Sequence, residues 1–448
     1  MTDATATAPT APRTRAERDA LTRKRYAAER RFRLYGMVAI GIAITALVVL
    51  LASVLGRGLP AFTQTVIRAE IFLDPEALDP AGTRDPAEIR KVLTFAYSPL
   101  ITASLTSVAD ELAAGGAPEI TPALLAGMVS EAATSQLRDY VIANPDRIGE
   151  TVEFEFLTSG RIDQYVKGNI TRESSEGDIR LDPAQLNAAD ELMALGVMER
   201  KFNWSFITGP DASENRPESA GLGVALIGSA YMMLIVLALS IPIGVATSIY
   251  LEEFAPKNWL TDVIEVNISN LAAVPSIVFG ILGLTFFINF MHLPMSAPIV
   301  GGLVLTLMTL PTIIISTRAA LKSVPPSIKE AALGVGASKM QAVFHHVLPL
   351  AMPGILTGSI LGLAQALGET APLLLIGMVA FVRDFPGPLP EGLFEPATAL
   401  PVQIYNFTQR ADPAFVERAS GAIIVLLLFL LVMNTIAIIL RQRFERSW

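Results

Sequence analysis

The chain has 448 residues, of which 52% are hydrophobic and 17% are charged, and its mean hydropathy is +0.48. This composition is typical of a protein with several membrane spans and argues against a soluble globular chain. The formal net charge is −8 and there is no cysteine, which excludes disulfides, thiolate metal sites and cysteine nucleophiles.

The chain begins with a basic tail, residues 1–33, that carries nine Arg and Lys residues against four Asp and Glu. Because an apolar stretch follows directly, we interpret the tail as a cytoplasmic anchor and not as a nucleic-acid-binding segment. That stretch, residues 34–55, starts too late and runs too long for a cleaved signal peptide, so it is predicted to be the first transmembrane helix.

The polar segment that follows, residues 56–219, we call the insert. Its residues 57–218 hold 26 acidic and 14 basic side chains, a net charge of −12. Residues 101–143 have helical periodicity, whereas 151–157 alternate like a strand and 161–170 are predicted as a second strand. These patterns indicate a mixed α/β domain, for which we expect a structural or partner-docking role.

Five further apolar stretches follow the insert, and each is close to the ~20 residues that cross a bilayer core. They cover residues 221–249, 264–290, 297–316, 351–382 and 420–440. With the first stretch they predict six transmembrane helices, so the expected fold class is an all-α polytopic membrane protein with an extracytoplasmic insert. Residues 220–441 then form a five-helix core, and 442–448 form a short tail.

The orientation follows from the distribution of Arg and Lys. Residues 317–350 contain four Arg and Lys residues against one acid, Glu330, and the last eight residues contain three Arg. Six crossings place both segments on the same side as the basic N-terminal tail, and the positive-inside rule assigns that side to the cytoplasm. We therefore expect a multi-pass membrane protein with both termini in the cytoplasm and the insert outside.

The chain has no signature of an enzyme. It lacks the G-x-x-x-x-G-K-[ST] pattern of a nucleotide site, and residues 334–339 (GVGASK) do not supply one. The three histidines, His292, His345 and His346, have no metal-ligand spacing. We therefore expect no metal and no cofactor.

Residues 326–349, which we call the elbow, lie between two apolar stretches and are too polar to join either. The proline pair at 325–326 suits the first turn of a short helix, and Gly336 suits its end. Ser338 and Gln341 have the spacing of a capping box, which predicts that a second helix starts there.

The second helix of the elbow is predicted to carry one apolar stripe. The stripe consists of Met340, Val343, Phe344 and Val347, at positions i, i+3, i+4 and i+7. Pro349 is expected to end this helix. The stripe either packs against the protein's own spans or the lipid surface, or it docks a separate cytoplasmic protein.

The fifth of the six apolar stretches, residues 351–382, contains one acid, Glu369, beside a predicted break at Gly368–Pro372. Thr370 is expected to cap a half-helix with Pro372 in its first turn, and such a helix end can attract an anion inside a membrane. Glu369 either pairs with a cation of a second subunit, remains neutral, or reaches out to the membrane surface.

The third stretch, residues 264–290, contains Pro275 and Gly280. These residues either open or kink the stretch where it meets the fifth one, or they serve ordinary packing between helices. Ser276 could offer a hydroxyl to a passing oxyanion.

The elbow resembles the EAA loop of bacterial ABC-importer permeases. The matching residues are Glu330, Ala331, Ala332, Gly336, Leu348 and Pro349, whereas His346 stands where the family usually has an aliphatic residue. In that family the loop is seated in a groove of the ATPase subunit, which favours the docking interpretation.

Three segments are similar to phosphate-specific ABC permeases of the PstA type, and the resemblance covers about residues 221–441. They are ALGETAPLL at 366–374, NLAAVPSIVFGILG at 270–283, and residues 311–338. Relatives often carry Arg at the place of Gln365 and Glu in the segment that contains Arg318. A phosphate-path arginine therefore cannot be transferred to position 365, and Arg318 is expected near the cytoplasmic surface.

The resemblance implies a permease of the bacterial inner (plasma) membrane that imports inorganic phosphate. Its implied partners are a PstC-type sister permease, a PstB-type ATPase dimer, a periplasmic PstS-type phosphate-binding protein and membrane lipid, without nucleic acid. The candidate path residues are Ser276, Gly368, Glu369, Thr370 and Pro372. The candidate coupling residues are those of the EAA motif, Glu330, Ala331, Ala332, Gly336, Leu348 and Pro349, together with the stripe Met340, Val343, Phe344 and Val347. The alternatives are a permease for another oxyanion, such as phosphonate, molybdate or sulfate, and a membrane-anchored sensor whose insert binds a signal.

Overall fold

The structure, a computed structural model, describes residues 15–80, 82–115, 117, 119–175, 181–378 and 381–444. Its first element, α1 (Arg15–Gly58), is one helix of 44 residues. At 1.5 Å per residue this helix is about 66 Å long, which exceeds the thickness of a bilayer core. The described part of the basic tail therefore continues the first apolar stretch as a helix.

The described part of the insert contains a three-stranded antiparallel sheet and eight helices. The strands are β1 (Thr63–Phe72), β2 (Thr151–Leu157) and β3 (Met198–Phe202), in the order β2-β1-β3. The helices are α2 (Pro75–Leu78), α3 (Pro86–Ile89), α4 (Ser98–Ala114), α5 (Pro122–Met128), α6 (Ala133–Ala143), α7 (Gly160–Val166), α8 (Pro183–Ala194) and α9 (Trp204–Thr208). Single 3₁₀ turns cover Leu59–Phe62, Thr94–Tyr97, Pro145–Arg147 and Pro217–Ser219.

The strand predicted at 151–157 is confirmed, whereas the strand predicted at 161–170 is wrong. That segment begins with the helix α7. Ile162, Asp163 and Gln164 are all buried, and three consecutive buried side chains cannot alternate between the two faces of a strand. Asp163 accepts hydrogen bonds from the backbone N–H and the hydroxyl of Thr65, each at 2.9 Å, and thereby holds α7 against β1.

The rest of the chain is largely helical, and several of its helices are long and apolar. The helices are α10 (Gly223–Ile249), α11 (Trp259–Ala272), α12 (Ser276–Leu282), α13 (Pro298–Ser323), α14 (Pro326–Gly334), α15 (Lys339–Gln341), α16 (Leu348–Gly368), α17 (Ala371–Leu375), α18 (Leu400–Gln409) and α19 (Ala414–Phe444). Segments of π-helix extend three of them, at Tyr250–Phe254, Gly283–Phe290 and Ala342–Val347, and a 3₁₀ turn covers Glu391–Leu393.

Among the described residues, five helices are long and apolar enough to cross a membrane, or six if one bent pair counts as a single span. The bent pair is the stretch predicted as one span at 264–290. It divides into Trp259–Ala272 and Ser276–Phe290, which meet at 105°. The reason is Pro275, which lacks an N–H, has an extended backbone (ψ 138°) and interrupts the helical hydrogen bonds.

Small residues let α10, α13 and α16 pack closely. A Cβ atom on Gly354 of α16 would lie 2.7 Å from the Cβ of Ala320 on α13, and one on Gly244 of α10 would lie 2.7 Å from a methyl group of Ile313. Real side chains do not approach so closely, so these glycines set the distance between the helices. The three helices therefore form a tight frame for the elbow and the break that follows α16.

Candidate functional site

The helix start, the turn and the capping box predicted for the elbow are confirmed. Helix α14 starts at Pro326, and Gly336 has a φ of +92°, a left-handed conformation that favours glycine. Ser338 and Gln341 form the predicted capping box, in which each side chain bonds to the backbone N–H of the other residue. The sequence therefore defines the turn between the two elbow helices.

Pro349 does not end the second elbow helix, contrary to the prediction. The chain stays helical from Lys339 to Gly368, so the elbow leads directly into the next long helix. Pro349 lies in the first turn of α16, directly after the π-helical segment Ala342–Val347. The missing N–H of a proline is tolerated at such a position. The elbow and α16 therefore form one continuous helical segment.

The predicted apolar stripe is divided between two environments. Val343 and Val347 are buried in a cluster with Leu321 of α13, whereas Met340 and Phe344 are 57% and 41% exposed. A π-helix has more residues per turn than an α-helix, so the spacing that defined the stripe is not kept. Two members of the stripe hold the elbow to the protein, and two remain accessible.

The accessible apolar surface of the elbow extends beyond the stripe. Val335, in the turn, is 87% exposed, and Leu333 is 41% exposed. Glu330 is also exposed and has no hydrogen-bond or ion-pair partner in the described part of the chain. Met340 and Phe344 line an apolar groove of about 720 Å³ beside the end of α10. The elbow thus presents apolar side chains and one free carboxylate, a combination suited to contact with another protein.

Charged side chains join the elbow to the ends of the long helices. Lys329 of α14 pairs with Glu253, in the π-helical end of α10. Arg318, near the end of α13, lies 3.3 Å from Glu252 and 2.7 Å from Glu265 of α11. These ion pairs bring α14, the end of α10, α13 and α11 together at one point.

This ion-pair cluster was not predicted from the sequence. The expectation for Arg318 was only a position near the cytoplasmic surface, and no role was assigned to Glu252, Glu253 or Glu265. The available signal was the presence of acids directly after one apolar stretch and at the beginning of the next. Such acids at a side rich in Arg and Lys indicate ion pairs between helix ends.

The predicted break after α16 is present, but its capping is different. Helix α16 ends at Gly368, Glu369 has an extended backbone (ψ 133°), and the short helix α17 follows. Thr370 occupies the cap position of α17, yet its side chain makes no capping hydrogen bond, so this part of the prediction is wrong. Glu369 is half-buried and has no hydrogen-bond or ion-pair partner among the described residues.

The fifth apolar stretch does not continue as one span through residue 382. After α17 the chain turns at Gly377, which has a φ of +93°. The hydroxyl of Ser296, just before α13, donates to the carbonyl of Gly377 at 2.6 Å, and its backbone N–H donates to that of Ile376 at 3.1 Å. Helix α17 is therefore a short helix held beside the start of α13.

The two segments predicted to meet, around Gly280 and Pro372, do lie against each other. A Cβ on Gly280 would lie 2.7 Å from the Cα of Pro372, and one on Gly283 would lie 3.2 Å from a methyl group of Ile376. Residue numbers increase in the same direction on both sides of the contact, from Gly280 to Gly283 and from Pro372 to Ile376. The segment that begins with α12 and the segment that begins with α17 therefore run parallel, side by side. This register directs the start of α12, where Ser276 is half-buried, toward the break at 368–370.

No group of three or more His, Asp or Glu side chains suited to a metal ion is found in the ranges that the structure describes. His345 and His346 are exposed on the elbow.

The insert is fastened to α19 by the buried Arg418 and to the segment after α18 by the partly buried Arg410. Arg418 of α19 is 1% exposed and donates to the carbonyls of Ala61 and Glu218, at 3.0 and 3.1 Å. Arg410, after α18, pairs with Asp211 through both of its terminal nitrogens. Because these contacts hold the beginning and the end of the insert, the insert and α19 form one body.

Comparison with known proteins gives two family matches. Residues 19–176 match the domain of unknown function DUF3333, and residues 240–448 match the binding-protein-dependent transport system inner membrane component. A solved structure with a similar chain is an inward-facing MetNI methionine ABC transporter, with 15% identity and a TM-score of 0.39 over 50% of this chain and 97% of that one.

Several curated relatives are similar to about half of the chain. The probable ABC transporter permease protein YqgI of Bacillus subtilis is 35% identical over 54% of this chain and 83% of its own length. The phosphate transport system permease proteins PstA 2 of Mycobacterium bovis and PstA of Yersinia pestis are each 32% identical, over 57% and 49% of this chain and 83% and 73% of their own lengths. With these identities and this coverage, the chain belongs to the family of binding-protein-dependent transport system inner membrane components, as a permease of the PstA type.

Proposed function

We propose that the chain is the permease subunit of an ATP-driven importer of inorganic phosphate. The observation that carries this proposal is the similarity to the phosphate transport permeases of Mycobacterium bovis and Yersinia pestis over most of their lengths. In the proposed complex, a PstC-type sister permease completes the translocation path and a PstS-type binding protein delivers phosphate. A PstB-type ATPase dimer supplies the energy.

The proposed topology places the elbow and both termini in the cytoplasm. The insert, residues 56–219, lies outside, and residues 220–441 form the permease core. The excess of Arg and Lys in 317–350 supports this orientation, since such residues accumulate in cytoplasmic flanks.

The elbow couples the permease to the ATPase in this proposal. Glu330, Val335, Met340 and Phe344 present accessible atoms for docking, whereas Val343 anchors the elbow to the core. ATP binding favours the state in which the two ATPase subunits are closed, and it shifts the permease only through contacts that differ between its states. The unbroken helix from the elbow into α16 and the ion pairs of Arg318 transmit that difference.

The break between α16 and α17 lines the path in this proposal, together with the start of α12. Gly368, Glu369 and Thr370 leave a helix end inside the apolar core, and Pro372 packs on Gly280. Ser276 contributes a hydroxyl at the same level. Glu369 would repel an anion, so in this proposal the partner subunit supplies a cation beside it.

The substrate assignment is tested with the complete complex reconstituted in liposomes. We expect ATP-dependent uptake of labelled inorganic phosphate that excess phosphonate, molybdate or sulfate does not suppress. Uptake of one of those oxyanions in place of phosphate would show that the substrate is wrong and the permease role is right. Absence of ATP-dependent transport, together with a signal response conferred by the insert alone, would favour the sensor.

Coupling through the elbow is tested by Gly336→Asp. The carboxylate would stand in the turn of the elbow, so we expect uptake to be abolished while the protein remains in the membrane. Gly196→Asp is the matched control, since Gly196 also has a positive φ (+75°) and open space around it but lies in the insert. Normal uptake by G336D, or equal loss in both variants, would contradict a specific coupling role.

A further inference from the structure

The membrane-proximal side of the insert carries an uncovered aromatic edge. We define this edge as Leu59, Phe202 and Trp204, whose exposed fractions are 56%, 48% and 67%. The rings of Phe202 and Trp204 lie 4.7 Å apart, and that of Phe62 lies 6.4 Å from Phe202. The rings of Phe62, Phe202 and Trp204 thus form one contiguous surface, and Leu59 belongs to the same 3₁₀ turn as Phe62.

The position of α9 shows what lies beside the aromatic edge. A Cβ on Gly223, the first residue of α10, would lie 2.8 Å from the carbonyl carbon of Thr208, the last residue of α9. Because α10 is a candidate membrane span, α9 and its first residue Trp204 lie at the level where that span leaves the bilayer.

The polar groups of the edge fit the same environment. No hydrogen-bond partner for the indole N–H of Trp204 is found in the part of the chain that the structure describes. The guanidinium groups of Arg57 and Arg200 are exposed and form no ion pair with any described residue. Tryptophan at a bilayer interface buries its ring among lipid and leaves its N–H for headgroups or water, and nearby arginines attract lipid phosphates.

We propose that the aromatic edge is a lipid-binding surface. Leu59, Phe202 and Trp204 insert at the headgroup level of the leaflet that surrounds the N-terminal end of α10, and Arg57 and Arg200 bind lipid phosphates. The insert therefore rests on the membrane surface by its β3–α9 side. This inference concerns the membrane position of the insert and does not depend on the transported substrate.

The far end of the insert offers an internal comparison. Phe95 is 82% exposed, and its 3₁₀ turn packs against α2, which follows the far end of β1. Strand β1 pairs with Phe202 at Thr63 and ends at Phe72, so about 30 Å of strand separates the two regions. An exposed apolar residue at that distance does not reach the same leaflet.

The proposal is tested by tryptophan fluorescence of the purified full chain reconstituted in liposomes. The chain has three tryptophans, so the W259F/W448F variant leaves Trp204 alone. We expect lipids brominated near the headgroup end of the acyl chain to remove roughly half or more of the Trp204 emission, as for an interfacial ring. A W204F/W259F/W448F/F95W variant is the control, and its emission is expected to be unchanged by the brominated lipids.

Unquenched Trp204 emission in brominated lipids would overturn the proposal. Acrylamide then identifies the alternative, because quenching by acrylamide shows a ring in water, and protection from it shows a ring covered by protein. Equal quenching of both tryptophan positions by brominated lipid would also overturn the proposal, since the two positions are too far apart to share one leaflet depth.

Discussion

The ammonium group of Lys167, in the insert, lies 2.8 Å from the carboxylate of Glu417 in α19. It also lies 2.6 Å from Asp163, and all three side chains are almost completely buried. The amides of Gln164 and Asn169 donate to the other oxygen of Glu417, at 2.6 and 2.9 Å. The carboxylate of Glu417 therefore keeps this cation and these two donors only while the insert and α19 stay together.

The first prediction concerns Lys167→Met. Removal of the ammonium leaves Asp163 and Glu417 as neighbouring buried carboxylates, and loss of one partner of a buried ion pair costs about 3–5 kcal/mol. The free energy of unfolding of the purified protein in detergent measures this loss. Lys91→Met is the control, because the Lys91–Glu88 pair is largely exposed and such pairs contribute about 0–1 kcal/mol. Equal stability losses in the two variants would contradict the anchoring role.

The second prediction concerns the pH dependence set by Glu218. Burial raises the pKa of this carboxyl above its ordinary value of 4.5, although the hydrogen bond from Ser130 acts in the opposite direction. The native state therefore holds the proton more tightly than the unfolded chain. The stability contributed by Glu218 is complete below about pH 4.5 and is lost as the pH rises through the native pKa.

Glu218→Gln should remove this dependence, because the amide is neutral and still accepts the hydrogen bond from Ser130. The measurement is the melting temperature of wild type and variant from acid to neutral pH. We expect the variant to gain stability relative to wild type as the pH rises. A difference between the two proteins that stays constant with pH would show that Glu218 does not titrate in this range.

The third prediction concerns the contact between α12 and α17. In Gly280→Ala the new methyl group would overlap backbone atoms of Pro372, which cannot move without displacing α17. Overpacking of this kind costs about 1–3 kcal/mol, and we expect transport to fall strongly. Ile281→Val, on the exposed side of the same helix, is the control and should retain transport. Full transport by G280A would show that the close contact between α12 and α17 is not required for the translocation path.

The fourth prediction concerns the ion pair between Lys329 and Glu253. Reversal of either charge places like charges together, so we expect Lys329→Glu and Glu253→Lys each to reduce transport per ATP hydrolysed. The double variant restores an opposite pair and should recover most of the coupling, which a double-mutant cycle quantifies. Lys257→Glu is the control, since Lys257 is exposed and has no ion-pair partner among the described residues. No recovery in the double variant would count against the pair.

The elements predicted correctly are those with local causes. The caps of the elbow depend on residues within a few positions of each other, and β2 has one buried and one exposed face that alternate along the sequence. The strand β1 was missed because it is the central strand, and Thr65, Val66 and Ile67 are buried in succession. Period-two patterning is weak where both faces of a strand are covered.

The parts of the site that were missed depend on distant partners. Lys329 and Glu253 are 76 residues apart, and Arg318 and Glu265 are 53 residues apart. Their pairing follows from how the helices pack, which no local pattern records. In the same way, α-helical spacing predicted that Val343 and Met340 lie on one face of the helix. The π-helical segment that begins after Met340 has a different number of residues per turn, so Val343 is buried and Met340 is exposed.

The position of Arg418 has a consequence for the biogenesis of the protein. Its guanidinium binds the carbonyl of Ala61, 357 residues earlier in the chain, and that of Glu218, 200 residues earlier. A ribosome therefore completes the whole insert long before it synthesises the arginine that joins the two ends of the insert. Until then the carbonyls of Ala61 and Glu218 lack this donor. In a truncated chain that stops before α19, the two ends of the insert are not joined by Arg418, and the insert is then more accessible to quality-control proteases.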